Sequence, residues 1–361
     1  MNGKVKQCFA GGNTAAGLYS LYDSAFQGVK TLFVLQGYPG TGKSSMIQRI
    51  AGEMAERGCH LQLFYNPLDS DTLDGVIVTD LRIGIVDSQT WAASIASEDA
   101  EVIEVNLKEA VDSVKRAEAS EAIAALEAEI KQAYESAYAT FLRTLHIHDE
   151  WEKFYIENLD VEKANRVADD LADTLFKDAV GSRQPVVRHL FLGAATARGA
   201  VDFIPNLTED MDRRIFVKGR PGSGKSTIFK KLASAAEEKG ISAEVFHCGF
   251  DPNSLDMLIF PELRVAIFDS TAPHEHFPSR EGDEILDMYE LAIAPGTDEK
   301  YAEAIEEIRQ RYAGSMKEAI SYLSKVKTLR DELKSFYSAA TDFAVVERAY
   351  QELQAKLGTL V

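Results

Sequence analysis

Two nine-residue stretches, "GYPGTGKSS" at Gly37–Ser45 and "GRPGSGKST" at Gly219–Thr227, place glycine, lysine and hydroxyl residues at one spacing. Gly37, Gly40 and Gly42, with Pro39 and Thr41 between them, let the backbone turn tightly so that successive N–H groups converge. Lys43 adds an ammonium group, and Ser44 and Ser45 add hydroxyls. Gly219, Pro221, Gly222, Ser223, Gly224, Lys225, Ser226 and Thr227 repeat the set. This chemistry captures anions: amides and an ammonium group grip phosphate oxygens, and a serine hydroxyl serves a divalent cation. The pattern G-x-x-x-x-G-K-[ST] is the P-loop, or Walker A, motif. A dinucleotide-type G-x-G-x-x-G reading fails, because no third glycine stands at the required position.

Such a loop works only between a strand and a helix. Short branched and aromatic runs, "LFVLQ" (Leu32–Gln36) and "IFVK" (Ile215–Lys218), predict buried strands ahead of the two loops. "SSMIQRIAGEMAERG" and "STIFKKLASAAEEKG" predict the helices behind them, ending at Gly58 and Gly240. Further on, "RIGIVD" and "RVAIFD" predict strands that end in Asp87 and Asp269. A carboxylate at a strand tip beside a P-loop is the Walker B arrangement. With Ser44 and Ser226, these residues form the expected Mg²⁺ ligand set. Ser88 and Ser270 stand where many ATPases carry a glutamate that polarises water. Asp69 and Asp251 are candidate bases for a substrate hydroxyl, or caps of a turn. Asp74 and Asp256 form another matched pair.

The two loops lie 182 residues apart, and that offset holds along the whole chain of 361 residues. "FAGGNTAAG" falls on "FLGAATARG", "DTLDGVIVTDLRIGIVDS" on "NSLDMLIFPELRVAIFDS", and "DEWEKFY" on "DELKSFY". The chain reads as a tandem duplication. Residues 1–182 and 183–361 each form one P-loop domain, joined near "KDAVGSRQPVV". Each half is expected to be a three-layer α/β/α domain with a mostly parallel sheet and an added helical segment. The segments rich in Ala, Glu, Lys and Leu, such as "EAIAALEAEIKQAYESAYATFL", are amphipathic. Packing on their own sheet, packing on each other, or binding a partner protein would each use that pattern.

The halves differ after the second strand. The second copy has "FHCGFD" and "DSTAPHEHF" where the first has "FYNPLD" and "DSQTWAAS". Arg198 stands opposite Ala16, so a phosphate-binding arginine there exists in the second copy only. On these grounds the second copy is expected to be the working centre and the first, degenerate after its Walker B strand, a binding or regulatory site. His247, Cys248, His274 and His276 offer metal-type ligands, but no metal-type spacing links them, and His189 lies further off in the same half.

A net charge of −18 opposes nucleic acid and anionic lipid as partners. Three distant cysteines and no long apolar stretch argue for a reducing, cytoplasmic setting without a membrane span. The blocks "FAGGNTAAGLYSLYDS", "LDGVIVTDLRIGIVDS" and "FHCGFDPNSLDMLIFPELRVAIFDSTAPHEHFPSREGDEILDMYE" together resemble an uncharacterised bacterial family of tandemly duplicated P-loop ATPases. The resemblance implies ATP binding and no particular substrate. The expected function is Mg²⁺-dependent ATP hydrolysis, slow or stimulated by a partner. A kinase for a nucleotide or small molecule and a nucleotide-gated interaction module are the alternatives. A pseudo-dimer of the halves would let an arginine of one complete the site of the other.

Overall fold

The computed structural model describes residues 3–90, 100–182 and 184–360. The first half runs β1 (Val5–Cys8), a hairpin β2 (Gly11–Thr14) and β3 (Gly17–Ser20), α1 (Tyr22–Ala25), β4 (Thr31–Gln36), α2 (Lys43–Glu56), β5 (Leu61–Tyr65), β6 (Leu73–Val78), β7 (Ile83–Asp87) and β8 (Glu101–Asn106). Helices α3 (Ser113–Glu118), α4 (Ser120–Ile156) and α5 (Val161–Phe176) follow. The second half repeats this order. Its strands are β9 (Val187–Phe191), β10 (Gly193–Thr196), β11 (Gly199–Asp202), β12 (Arg213–Lys218), β13 (Ala243–His247), β14 (Leu255–Phe260), β15 (Val265–Asp269) and β16 (Asp283–Asp287). Its helices are α6 (Ile204–Leu207), α7 (Lys225–Glu238), α8 (Met288–Ala292), α9 (Thr297–Lys300), α10 (Ala302–Ala340) and α11 (Phe343–Leu360).

Each half forms a six-stranded sheet, ordered β1-β5-β6-β7-β4-β8 and β9-β13-β14-β15-β12-β16. Five strands of each sheet run parallel, and β6 or β14 runs against them. The duplication extends to backbone detail. Arg82 and Arg264 both adopt left-handed φ values, 56° and 53°, in matching turns. The edge strands β8 and β16 were not expected from the sequence. Exposed charged residues such as Glu101 and Glu284 interrupt their apolar pattern.

Side-chain alternation divides each central strand between two faces. Phe33 and Leu35 of β4 point to an outer face, with Ile83 and Ile85 of β7. Leu32 and Val34 point to an inner face. The inner faces of both sheets, with the four-residue helices α1 and α6, belong to one continuous apolar cluster. The layering therefore differs from the expected α/β/α sandwich. One face of each sheet carries helices of 14 to 18 residues, and the other shares a core with the opposite half.

The halves are related by a pseudo-two-fold axis. Phe9 and Phe191, equivalent under the offset, bridge to each other with two N–H···O bonds of 3.0 Å. The Gln7 N–H donates to Asn206 Oδ1, and its counterpart, the His189 N–H, donates to Ser24 Oγ, both at 2.7 Å. The long helices α4 and α10 pack antiparallel. Ala137, Phe141, Ala319 and Leu323 are buried at the centre of this pair. Ion pairs Arg143–Glu318 and Arg311–Glu150 flank it.

Beyond these helices the chain crosses over. Helix α11, at the end of the second half, covers the outer face of the first sheet beside α2, burying Val346, Tyr350, Leu353 and Leu357. Helix α5, from the first half, covers the second sheet beside α7 with Ala168, Leu175 and Phe176. The crossing points match: Val111 bridges Thr341, and Ile293 bridges its equivalent partner, Leu159. The apolar stripes of the helical segments are thus spent on each other and on the opposite sheet. Each sheet's outer core is completed by a helix encoded in the other half.

This exchange has a measurable consequence. Leu353→Ala should cost about 2–5 kcal/mol, as core truncations do. It should raise amide exchange in α2 and β4, hundreds of residues upstream, before α7 and β12. Phe176→Ala should show the reverse order.

Candidate functional site

Both loops sit between the strand and the helix expected of them. Gly42 and Gly224 are the residues before α2 and α7, at φ values of 87° and 90°. Only glycine takes this left-handed conformation freely. It turns the chain so that the next residue, Lys43 or Lys225, opens the helix. The N-terminal amides and the positive end of the helix dipole therefore face the loop.

In the first loop, the Lys43 ammonium donates to the carbonyls of Gly37 (2.8 Å) and Tyr38 (3.0 Å) and lies 3.6 Å from Asp87. Burial pushes Lys43 below the ordinary lysine range, against the attraction of Asp87. Burial likewise raises Asp87, against Lys43 and Arg330. Behind it, Asp74 is buried on β6 and held by the Asn66 amide at 2.9 and 3.1 Å; burial lifts it to about 7. Ser44 Oγ accepts from the Leu73 N–H at 3.0 Å. Thr41 Oγ1 donates to the Tyr38 carbonyl.

The second loop repeats the core of this arrangement. Lys225 donates to the Arg220 carbonyl at 3.0 Å and lies 3.7 Å from Asp269. Ser226 Oγ accepts from the Leu255 N–H. Asp256 is raised by burial and by Asp269 to about 6. Asp269 Oδ1 also accepts from the Thr271 N–H and hydroxyl. Ser270 is buried and donates its hydroxyl to the His276 carbonyl at 2.6 Å, so it is engaged structurally. In the first copy, Trp91 and Ala92 stand opposite Pro273 and His274 under the offset. Both lie outside the described residues, as does Arg183 at the join.

Other candidates resolve differently. Arg198 does not enter the second site. Its guanidinium reaches across the interface to Asp71 (2.6 Å) and Ser70 (3.3 Å), beside the first site. Asp251 accepts from the Asn253 N–H and side-chain amide, as a turn cap does. Asp69 lines the first site and pairs with Lys327 at 3.1 Å. The histidines form two separate pairs: His189 with His247 at 2.8 Å, and His274 with His276 on Asp202 at 3.1 and 3.0 Å. Cys248 is half-buried, and desolvation raises its thiol well above the usual range. They do not converge on one metal position.

A cavity of about 590 Å³ opens at the first loop, a size that suits a small-molecule ligand. Both halves line it. Lys43, Ser44, Asp74 and Asp87 come from the first half, and Lys327, Arg330 and Lys334 come from α10 of the second. The α10 backbone touches the loop: a Cβ at Gly40 would lie 2.5 Å from the Lys334 carbonyl, and Ser338 Oγ donates to the Gly40 carbonyl at 2.9 Å. At the second loop α4 docks in the same way, with the Glu152 carbonyl 2.7 Å from a Cβ at Gly222. The α10 cations were missed in the sequence because their helix reads as a packing element. The offset carried the signal: Lys327, Arg330 and Lys334 stand opposite Leu145, His148 and Glu152.

Compared with family models, curated proteins and solved structures, the chain matches none. The tandem duplication rests on the two repeated sheets, and no family is identified for it. Among the described residues, no helix is long and apolar enough to cross a membrane.

Asp202 supports a pH prediction. Burial alone would raise its carboxyl, but His274 and His276 hold it below the usual range. Burial would lower His274, but the hydrogen bond and charge of Asp202, with Asp256 and Asp269, lift it above its ordinary value. The pair stabilises the fold while Asp202 is ionised and His274 protonated. Its contribution fades as pH falls through the lowered carboxyl value, and again as pH rises through the raised imidazole value. The stability gap between wild type and Asp202→Asn should be widest between about pH 4 and 6.5. Urea unfolding at stepped pH measures it; a gap that persists undiminished at pH 9 would contradict this assignment.

Proposed function

We propose that the chain is a tandem P-loop NTPase that binds ATP with Mg²⁺ and hydrolyses it slowly or on stimulation by a partner. One observation carries this reading. Twice, a left-handed glycine opens a helix on a lysine whose ammonium lies 3.6 or 3.7 Å from a strand-tip aspartate. In this role the amides of residues 37–45 and 219–227 hold phosphate oxygens, and Lys43 and Lys225 exchange their loop carbonyl partners for the β and γ phosphates. Ser44 and Asp87 offer hard oxygen donors on one cavity, a set that fits Mg²⁺; Ser226 and Asp269 match them. A Mg²⁺ ion held there offsets phosphate charge.

In hydrolysis the oxygen of water bonds to the γ-phosphorus. The bond to the bridging oxygen breaks, ADP leaves with that electron pair, and the water proton passes to the released phosphate or to solvent. The serines after Asp87 and Asp269 supply no carboxylate to orient that water, which favours slow turnover. The kinase alternative would need Asp69 or Asp251 as base. The first is engaged by Lys327 and the second by its own turn, so hydrolysis is preferred. ATP consumption that requires an added acceptor would reverse this preference.

Calorimetric titration with Mg²⁺–ATP should show two binding events per chain. Lys43→Ala and Lys225→Ala should each remove one. The absence of heat with every Mg²⁺–purine triphosphate would overturn the proposal.

A further inference from the structure

The two loops are nearly identical, but the helix faces laid across them are not. On α10, Lys327, Arg330, Asp331, Lys334 and Ser338 fall at helical spacings of three and four, and so form one stripe. All five line the first cavity. The matching stripe of α4 is Leu145, His148, Asp149, Glu152 and Ile156. The first loop faces three cations and one carboxylate; the second faces two carboxylates, an imidazole and two aliphatic side chains.

The cations are not equally committed. Lys327 pairs with Asp69 and Asp331, and Lys334 pairs with Asp331. Arg330 makes no ion pair among the described residues, and its one hydrogen bond there goes to the Tyr134 hydroxyl at 3.3 Å. Its guanidinium has five N–H donors. It is also close enough to the reacting end of the loop that its charge acts on Lys43, Asp74 and Asp87. A largely unspent guanidinium facing a phosphate-type loop has the fork geometry that suits phosphate oxygens. Arg198, also from the second half, adds a further cation at the rim of the same cavity.

We propose that the Lys327–Arg330–Lys334 stripe is a phosphate clamp supplied in trans to the first loop, with Arg330 on the γ-phosphate. The first site is then the one that turns over. The second site binds nucleotide without a clamp and more weakly, because Asp149 and Glu152 oppose the triphosphate charge. This inverts the assignment expected from the loop sequences. It also makes nucleotide a bridge between halves, since the ligand would touch the first half's loop and the second half's α10 together. The proposal rests on the nucleotide-binding reading of the same loops.

The test uses the full chain, Mg²⁺–ATP calorimetry and phosphate release. Arg330→Ala should lower kcat at least tenfold with a smaller change in KM, leave Mg²⁺–ADP affinity within about threefold, and keep the wild-type melting transition. Arg330→Lys should not restore the rate, because an ammonium lacks the planar fork. Should Arg330→Ala fail to fold, a second variant decides. Leu145→Lys, His148→Arg and Glu152→Lys together, in a Lys43→Ala background, should tighten Mg²⁺–ATP at the second site at least tenfold. The inference is overturned if nucleotide binds the wild type but both variants leave affinity and rate within twofold. It is equally overturned if Lys225→Ala abolishes turnover while Lys43→Ala spares it. No binding to the wild type at all would instead sink the nucleotide reading, and this inference with it.

Discussion

The antiparallel packing of α4 on α10 is the contact on which the rest of the molecule depends. Ala137 and Ala319, equivalent under the repeat, let the two helices approach closely, while Phe141 and Leu323 fill the space beside them. Burying large apolar side chains of this kind contributes roughly 1.5–3 kcal/mol each. The geometry matters more than the sum. Helices of 37 and 39 residues crossing a pseudo-two-fold axis are long enough to carry the chain from one sheet to the other. Once they pair, α5 must land on the second sheet and α11 on the first.

That exchange joins stability to the site. Neither sheet has a complete outer core without the other half's terminal helix, and neither loop has its cover without the other half's long helix. The inner faces share one apolar cluster, and reciprocal hydrogen bonds at Gln7 and His189 tie the edge strands β1 and β9 to α6 and α1 of the opposite half. The two halves are therefore interlocked, two copies of one plan that share a core and exchange helices. Movement of α10 at the first loop cannot leave the rest of the helix pair unaffected, because tightly packed interfaces deform little.

Fusion of two copies into one chain also frees the sites to differ. A symmetric dimer would lay the same helix face over both loops. Here the residue over the first loop is Arg330 and that over the second is His148, although the loops share their glycines, lysine and first serine. A similar exchange occurs nearby. Tyr38 meets Arg116 at the first loop, whereas at the second Arg220 occupies the tyrosine's place and pairs with Asp298 at 2.8 Å. There the change on the loop is matched by one on the element it faces.

Local patterns in the sequence were enough to determine the repeat, the central strands with Asp87 and Asp269 at their tips, and the helices behind the loops with their left-handed ends at Gly58 and Gly240. These features follow from short-range rules: alternation in strands, helical periodicity, and the backbone freedom of glycine. The reversed strand β6, the polar edge strands, the shared inner core and the crossing of α5 and α11 came only from the tertiary structure. So did the destination of Arg198 and the cationic stripe of α10. An amphipathic helix shows in its sequence that it has an apolar face, but not which surface will cover that face. Where its polar side chains end up is then set by packing between residues nearly 300 positions apart, as between Gly40 and Ser338.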